Sequence, residues 1–195
     1  MFEGLDRDDL IAGLREVIER AHRQGIGPVS IRIIGGAALR LAYFERATTV
    51  DIDARIDPVG ELTPIIDEIA SERGWPADWL NSEAQKAGFI PTWGRQVDWR
   101  PLYSDGSVSI EVASVEALLV MKLRAFEKRG RRDLGDVLGL LPLTGLTSVA
   151  EVEELFEEFF PGDALKQTTV DFLRTTLAED LTALPTPPSI DFRPS

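Results

Sequence analysis

Asp51 and Asp53 stand one residue apart in the stretch Thr49-Val50-Asp51-Ile52-Asp53-Ala54-Arg55-Ile56, where polar and apolar residues alternate. Alternation of this kind is the pattern of a strand, whose successive side chains point to opposite faces. Val50, Ile52, Ala54 and Ile56 are then expected on a core face, and Thr49, Asp51, Asp53 and Arg55 on the other. The two carboxylates would lie about 7 Å apart along the backbone. Such a pair suits Mg2+, a hard cation usually held by one or two carboxylates together with substrate phosphates. Just upstream, a strand expected over Val29–Ile34 runs into Gly35-Gly36 and a short helix, Ala37–Tyr43. Paired glycines let the backbone approach a ligand, and the free N–H groups of a helix start favour an anion. Arg46 is a candidate either for binding phosphate or for neutralising the acidic face, whereas Arg55 is expected in a structural ion pair. An anion cradle and a metal strand within Ile31–Ile56 point to phosphate-transfer chemistry.

The remaining elements must position this unit. Leu10, Ile11, Leu14, Ile18 and Ala21 recur at helical spacing, giving a helix over Asp6–Gln24 with Asp6 as N-cap. A helix is expected over Leu62–Arg73, and another over Ala77–Lys86 anchored by Trp79 and Leu80. Val97–Tyr103 and Val108–Val112 form a hairpin through Ser104-Asp105-Gly106-Ser107. Ser114 caps a helix, Val115–Lys128, on which Lys122 falls among apolar residues, away from the polar face. A buried lysine is costly without a partner, so Lys122 either snorkels to water or meets a compensating group. A helix over Arg132–Leu141 carries Asp133 and Asp136, Pro142–Thr147 reads as a linker, and Val149–Phe160 and Asp163–Leu181 form an acidic helical pair. The expected division is residues 1–142, a C-terminal helical extension over 143–184, and a loose proline-rich tail over 185–195.

The segment GGAALRLAYFERATTVDID, Gly35 to Asp53, resembles the signature of the DNA polymerase beta-like nucleotidyltransferase superfamily, in which a glycine pair opens a helix and an Asp-x-Asp strand follows. The Arg46…Thr49-x-Asp51-x-Asp53 spelling is similar to small bacterial proteins of toxin–antitoxin and abortive-infection systems. LLVMKLRAFEKRGRRDLGDVLGLL, Leu118 to Leu141, resembles the Met-Lys-Leu-x-Ala…Arg-Asp-x-x-Asp helices of the same group. The resemblance implies an α/β (α+β) fold: a mixed sheet flanked by helices, with a C-terminal helical part. It implies transfer of a nucleotidyl group from an NTP to an acceptor hydroxyl on tRNA, protein or a small molecule. Asp51 and Asp53 would hold Mg2+, Gly35, Gly36 and Arg46 would seat the triphosphate, and Lys122 would act on it or on the Asp-x-Asp face. The superfamily's third carboxylate is left open between Asp98, which fits by strand order, and Glu111, which fits by its polar face. Asp133 and Asp136 are secondary candidates, because related toxins place an active-site acid in this region. The alternative is a catalytically degenerate fold serving as the protein-binding partner of a toxin–antitoxin pair.

Composition bounds these readings. Of 195 residues none is cysteine, which excludes a thiolate nucleophile and cysteine-bound zinc, and the one histidine, His22, is expected on a helix surface. The net charge of −12 disfavours sequence-independent nucleic-acid binding, although Lys122, Arg124, Lys128, Arg129, Arg131 and Arg132 cluster in one stretch. That cluster is either a solvated helix end or a phosphate-facing patch. There is no long apolar run and no signal peptide, so a cytoplasmic protein without membrane contact is expected.

Overall fold

The computed structural model describes residues 3–46, 48–83, 88–179, 188 and 190–192. Among these the chain forms seven α-helices and a five-stranded mixed sheet, the α+β class that the sequence implies. The first helix, α1 (Arg7–Gln24), starts as expected at Asp6. The Asp6 carboxylate accepts from Asp9 N–H while the Asp9 carboxylate accepts from Asp6 N–H, a reciprocal cap. The strands are β1 (Val29–Ile33), β2 (Ile52–Asp57), β3 (Leu80–Asn81), β4 (Trp99–Ser104) and β5 (Val108–Ala113), in the order β3-β2-β1-β5-β4. β1 runs antiparallel to β2 and parallel to β5, and β2 is parallel to β3. Alternation builds the core side of this sheet: Val29, Ile31 and Ile33, then Ile52, Ala54 and Ile56, then Val108, Ile110 and Val112 are buried. Helix α2 (Gly35–Ala42) lies against β2 and β5, and α3 (Thr63–Arg73) packs with α1.

The second group of elements is helical: α4 (Val115–Arg129), a 3-10 turn over Gly130–Asp133, α5 (Leu134–Thr144), α6 (Val149–Phe159) and α7 (Gln167–Leu177). The chain divides into two compact units, one of residues 1–86, 99–113 and 187–195, the other of 87–98 and 114–186. The division falls after β5 and not after residue 142, so α4 and α5 group with the C-terminal helices. No helix among the described residues is long and apolar enough to cross a membrane.

Four local expectations need correction. Val50 is 56 % exposed, because Thr49 bridges to Leu5 and the chain bends before β2 begins at Ile52. The segment Ala77–Lys86 is helical among its described residues only at Glu83. It turns and contributes β3, with Trp79 fully buried and its indole N–H bonded to the Ile66 carbonyl at 3.1 Å; residues 84–87 lie outside the described set. Pro142 does not end α5, which continues to Thr144 and stops at Gly145 with φ +71°. The tail over 185–195 lies partly outside the described residues, but Phe192 is buried against the Tyr103 ring, and the Asp191 carbonyl accepts from Arg15.

Candidate functional site

β1 delivers the chain to the glycine pair, and β2 brings the carboxylates beside it. Ile34 N–H continues the β1–β2 pairing by donating to the Asp53 carbonyl at 2.9 Å. Gly35 adopts φ +66°, a conformation L side chains rarely take. A Cβ there would stand 3.2 Å from Asp53 Oδ2, so the absence of a side chain is what lets the carboxylate lie against this turn. A Cβ on Gly36 would collide with the Arg46 guanidinium and come within 3.1 Å of Thr49 Oγ1. The two glycines thus make room for three polar side chains, those of Asp53, Arg46 and Thr49. Arg40 donates to the Arg46 carbonyl and steadies that loop. The N-cap of α2 is Ile34, an apolar residue that makes no side-chain cap hydrogen bond.

Asp51 lies just outside β2 and Asp53 within it; both are half-buried. Thr49 Oγ1 donates to the Asp51 carbonyl at 3.1 Å, and Asn81 Nδ2 donates to Asp51 Oδ2 at 3.2 Å. Asn81 is the site residue that sequence reasoning missed. It reaches Asp51 because β3 pairs with β2, with Asn81 opposite Asp53, whereas its segment reads as a helix in the sequence. Asp78-Trp79-Leu80-Asn81 carries no apolar alternation that would mark it as a strand.

The donor chemistry fits Mg2+. Asp51 and Asp53 supply hard carboxylate oxygens, and two carboxylates are the usual protein share of a site completed by water and phosphate. Among the described residues no group of three His, Cys, Asp or Glu side chains gathers to hold a metal. Glu111 does not fit as the third carboxylate. It pairs in register with Arg32, with 2.8 Å between Oε2 and Nε, whereas the β5 position level with Asp53 is Ala113. Two strands and two residues put Glu111 about 12 Å from Asp53 along the sheet. Asp98 lies outside the strands, largely exposed, with Oδ2 3.4 Å from Arg95.

Lys122 belongs to the helical unit. It is 8 % exposed, as its helix phase predicts, and its partners there are carboxylates: Nζ lies 3.0 Å from Asp133 Oδ1 and 2.7 Å from Asp136 Oδ2. Arg129 joins Asp133 at 3.2 Å. Asp133 and Asp136 are themselves 3 % and 6 % exposed, so the burial cost of the lysine is offset without any phosphate. The structure therefore gathers Gly35, Gly36, Arg46, Asp51 and Asp53 in the sheet unit, and Lys122, Asp133 and Asp136 in the helical one. The side chain of Arg131, in the basic cluster, lies outside the described set.

Compared with models of known protein families, with curated proteins and with solved structures, the chain matches none.

Proposed function

We propose that the chain is a Mg2+-dependent nucleotidyltransferase whose working site is the Gly35-Gly36 turn with Asp51 and Asp53. The observation that carries this reading is the contact of the Asp53 carboxylate with Gly35, beside Arg46 and Thr49 over Gly36. The N-terminal N–H groups of α2 and the Arg46 guanidinium are suited to an NTP's phosphates. Asp51, oriented by Asn81, and Asp53 would hold the metal. When bound, Mg2+ supplies charge stabilisation for the leaving pyrophosphate. In the transfer an acceptor oxygen bonds to the α-phosphorus, the bond to the β-phosphate oxygen breaks, and the hydroxyl proton leaves to a base. The acceptor class spans tRNA, protein and small-molecule hydroxyls.

A second reading, a degenerate fold that binds a cognate toxin or antitoxin protein, is favoured by one observation. The candidate third carboxylate Glu111 and the candidate phosphate ligand Lys122 both have ionic partners within the chain. Incubation with each labelled NTP, Mg2+ and total tRNA or cell extract separates the two. Label on a macromolecule or small product supports the enzyme. No label from any NTP, with a protein partner recovered in a defined complex, supports the binding module.

A further inference from the structure

Asn81 does more than touch Asp51; its amide is locked in place while it does so. Oδ1 accepts from Glu83 N–H at 2.8 Å, and Nδ2 donates to the Asp78 carbonyl at 2.9 Å and to Asp51 Oδ2 at 3.2 Å. A backbone N–H can only donate, so the atom facing Glu83 is the amide oxygen and the amide nitrogen faces Asp51. The backbone beneath is fixed as well. Ile52 N–H donates to the Trp79 carbonyl at 2.6 Å, Leu80 pairs with Ile52, and Asn81 pairs with Asp53. Leu80 and Ile52 are buried, so Asn81 shares the other face of the sheet with Asp53. A carboxylate held at one oxygen by a fixed amide proton coordinates a metal through a single oxygen and resists turning to chelate with both. That restraint acts differently on two common cations. Mg2+ demands a near-ideal octahedron, whereas Ca2+ accepts more oxygens in looser geometry and takes carboxylates by both oxygens.

We propose that Asn81 sets the ion preference of the Asp51–Asp53 site: by holding Asp51 Oδ2 it confines Asp51 to one-oxygen coordination and so favours Mg2+ over Ca2+. The inference rests on the reading of Asp51 and Asp53 as metal ligands, and adds to it the residue that discriminates between ions. Asn81 acts through Asp51 and is a positioning residue.

The test is a Mn2+ titration read by electron paramagnetic resonance, in which bound Mn2+ loses the free-ion signal, with Mg2+ or Ca2+ as competitor and no nucleotide present. The parent is compared with Asn81→Ser and with the double variant Asp51→Asn, Asp53→Asn. The serine hydroxyl can accept from the N–H two residues on, as Asn81 does, but is too short to reach Asp51. The metal-free melting temperature shows whether Asn81→Ser folds. If it does not, Asn81→Asp takes its place, because it keeps the side-chain shape and the Glu83 bond, loses the amide proton, and should move the preference the same way. The parent should bind Mg2+ more tightly than Ca2+. In Asn81→Ser the Mg2+ inhibition constant should rise about tenfold, the low end of what a residue orienting a metal ligand contributes. The Ca2+ constant should not rise, because both Asp51 oxygens then reach the ion. A merely structural role for Asn81 would weaken both ions equally. An unchanged ratio of the two constants in a folded Asn81 variant overturns the inference and leaves the metal site standing, as does a parent that prefers Ca2+. Mn2+ bound equally by the double variant, or not bound by the parent, overturns the metal-site reading and the inference with it.

Discussion

Lys122 shows what a single residue can and cannot reveal. Its place on the buried side of α4 follows from about 100° per residue and needs no structure. Its partners do not follow from that phase, because Asp133 and Asp136 reach it only after the 3-10 turn folds α5 back along α4. Lys122→Met should therefore cost about 3–5 kcal/mol in chemical denaturation, since it strands two buried carboxylates. Adding Asp133→Asn and Asp136→Asn should recover most of that loss; a neutral single change would show that the triad is not paired in solution. Gly36 gives the complementary case. Its spacing marks a tight turn, but that the Arg46 guanidinium occupies the space of a Cβ is known only from the fold. Because a long side chain can swing away, Gly36→Ala should shift the melting temperature little. It should lower NTP affinity about tenfold, the worth of one displaced charged contact. Unchanged affinity would take Arg46 out of the site.

Elements with a sustained period were legible and those without one were not. α1, β1, β2 and β5 repeat their apolar residues often enough to declare a face. β3 has two residues, Leu80 and Asn81, too few for any period, and Trp79 beside it fits a helix equally well. The hairpin carries its own pH dependence. Burial pushes the Asp105 carboxyl up, but the Tyr103 hydroxyl and the Val108 and Ser107 N–H groups outweigh it and hold the pKa at about 2. His22 Nε2 on α1 lies 2.8 Å from the same carboxylate. A pKa depressed in the folded state stabilises above the unfolded value of about 4, and that contribution is lost as pH falls through about 2. Tyr103 is raised to about 12, first by its bond to Asp105 and then by burial. Its contribution is full below pH ~10 and fades as pH rises towards 12. The melting-temperature gap between the parent and Asp105→Asn should thus be steady near pH 6 and close towards pH 2. A gap independent of pH would mean that the carboxylate is solvated and that the latch does not form.

At the scale of the whole molecule, the α+β class was what the resemblance implied, and the physics agrees with it, because a mixed sheet with one apolar face requires helices to cover it. Where the chain divides was not legible: the split at residue 113/114 depends on α4 packing with α6, segments distant in sequence. The division also separates the two stretches that carry the resemblance, so each must be tested for its own contribution. Asp51 and Asp53 are the pair on which the functional reading depends, and ligand linkage reads them directly. A ligand that binds only the native state raises stability, by about 2.7 kcal/mol at a hundred times its Kd. The decisive measurement is the melting temperature with and without Mg2+ plus a non-hydrolysable NTP, for the parent and for the double variant Asp51→Asn, Asp53→Asn. The parent should melt higher with the ligands and the variant should not, while the ligand-free variant should be at least as stable, since two neighbouring like charges are gone. An equal rise in both proteins would place the nucleotide elsewhere and contradict the site proposed for this chain.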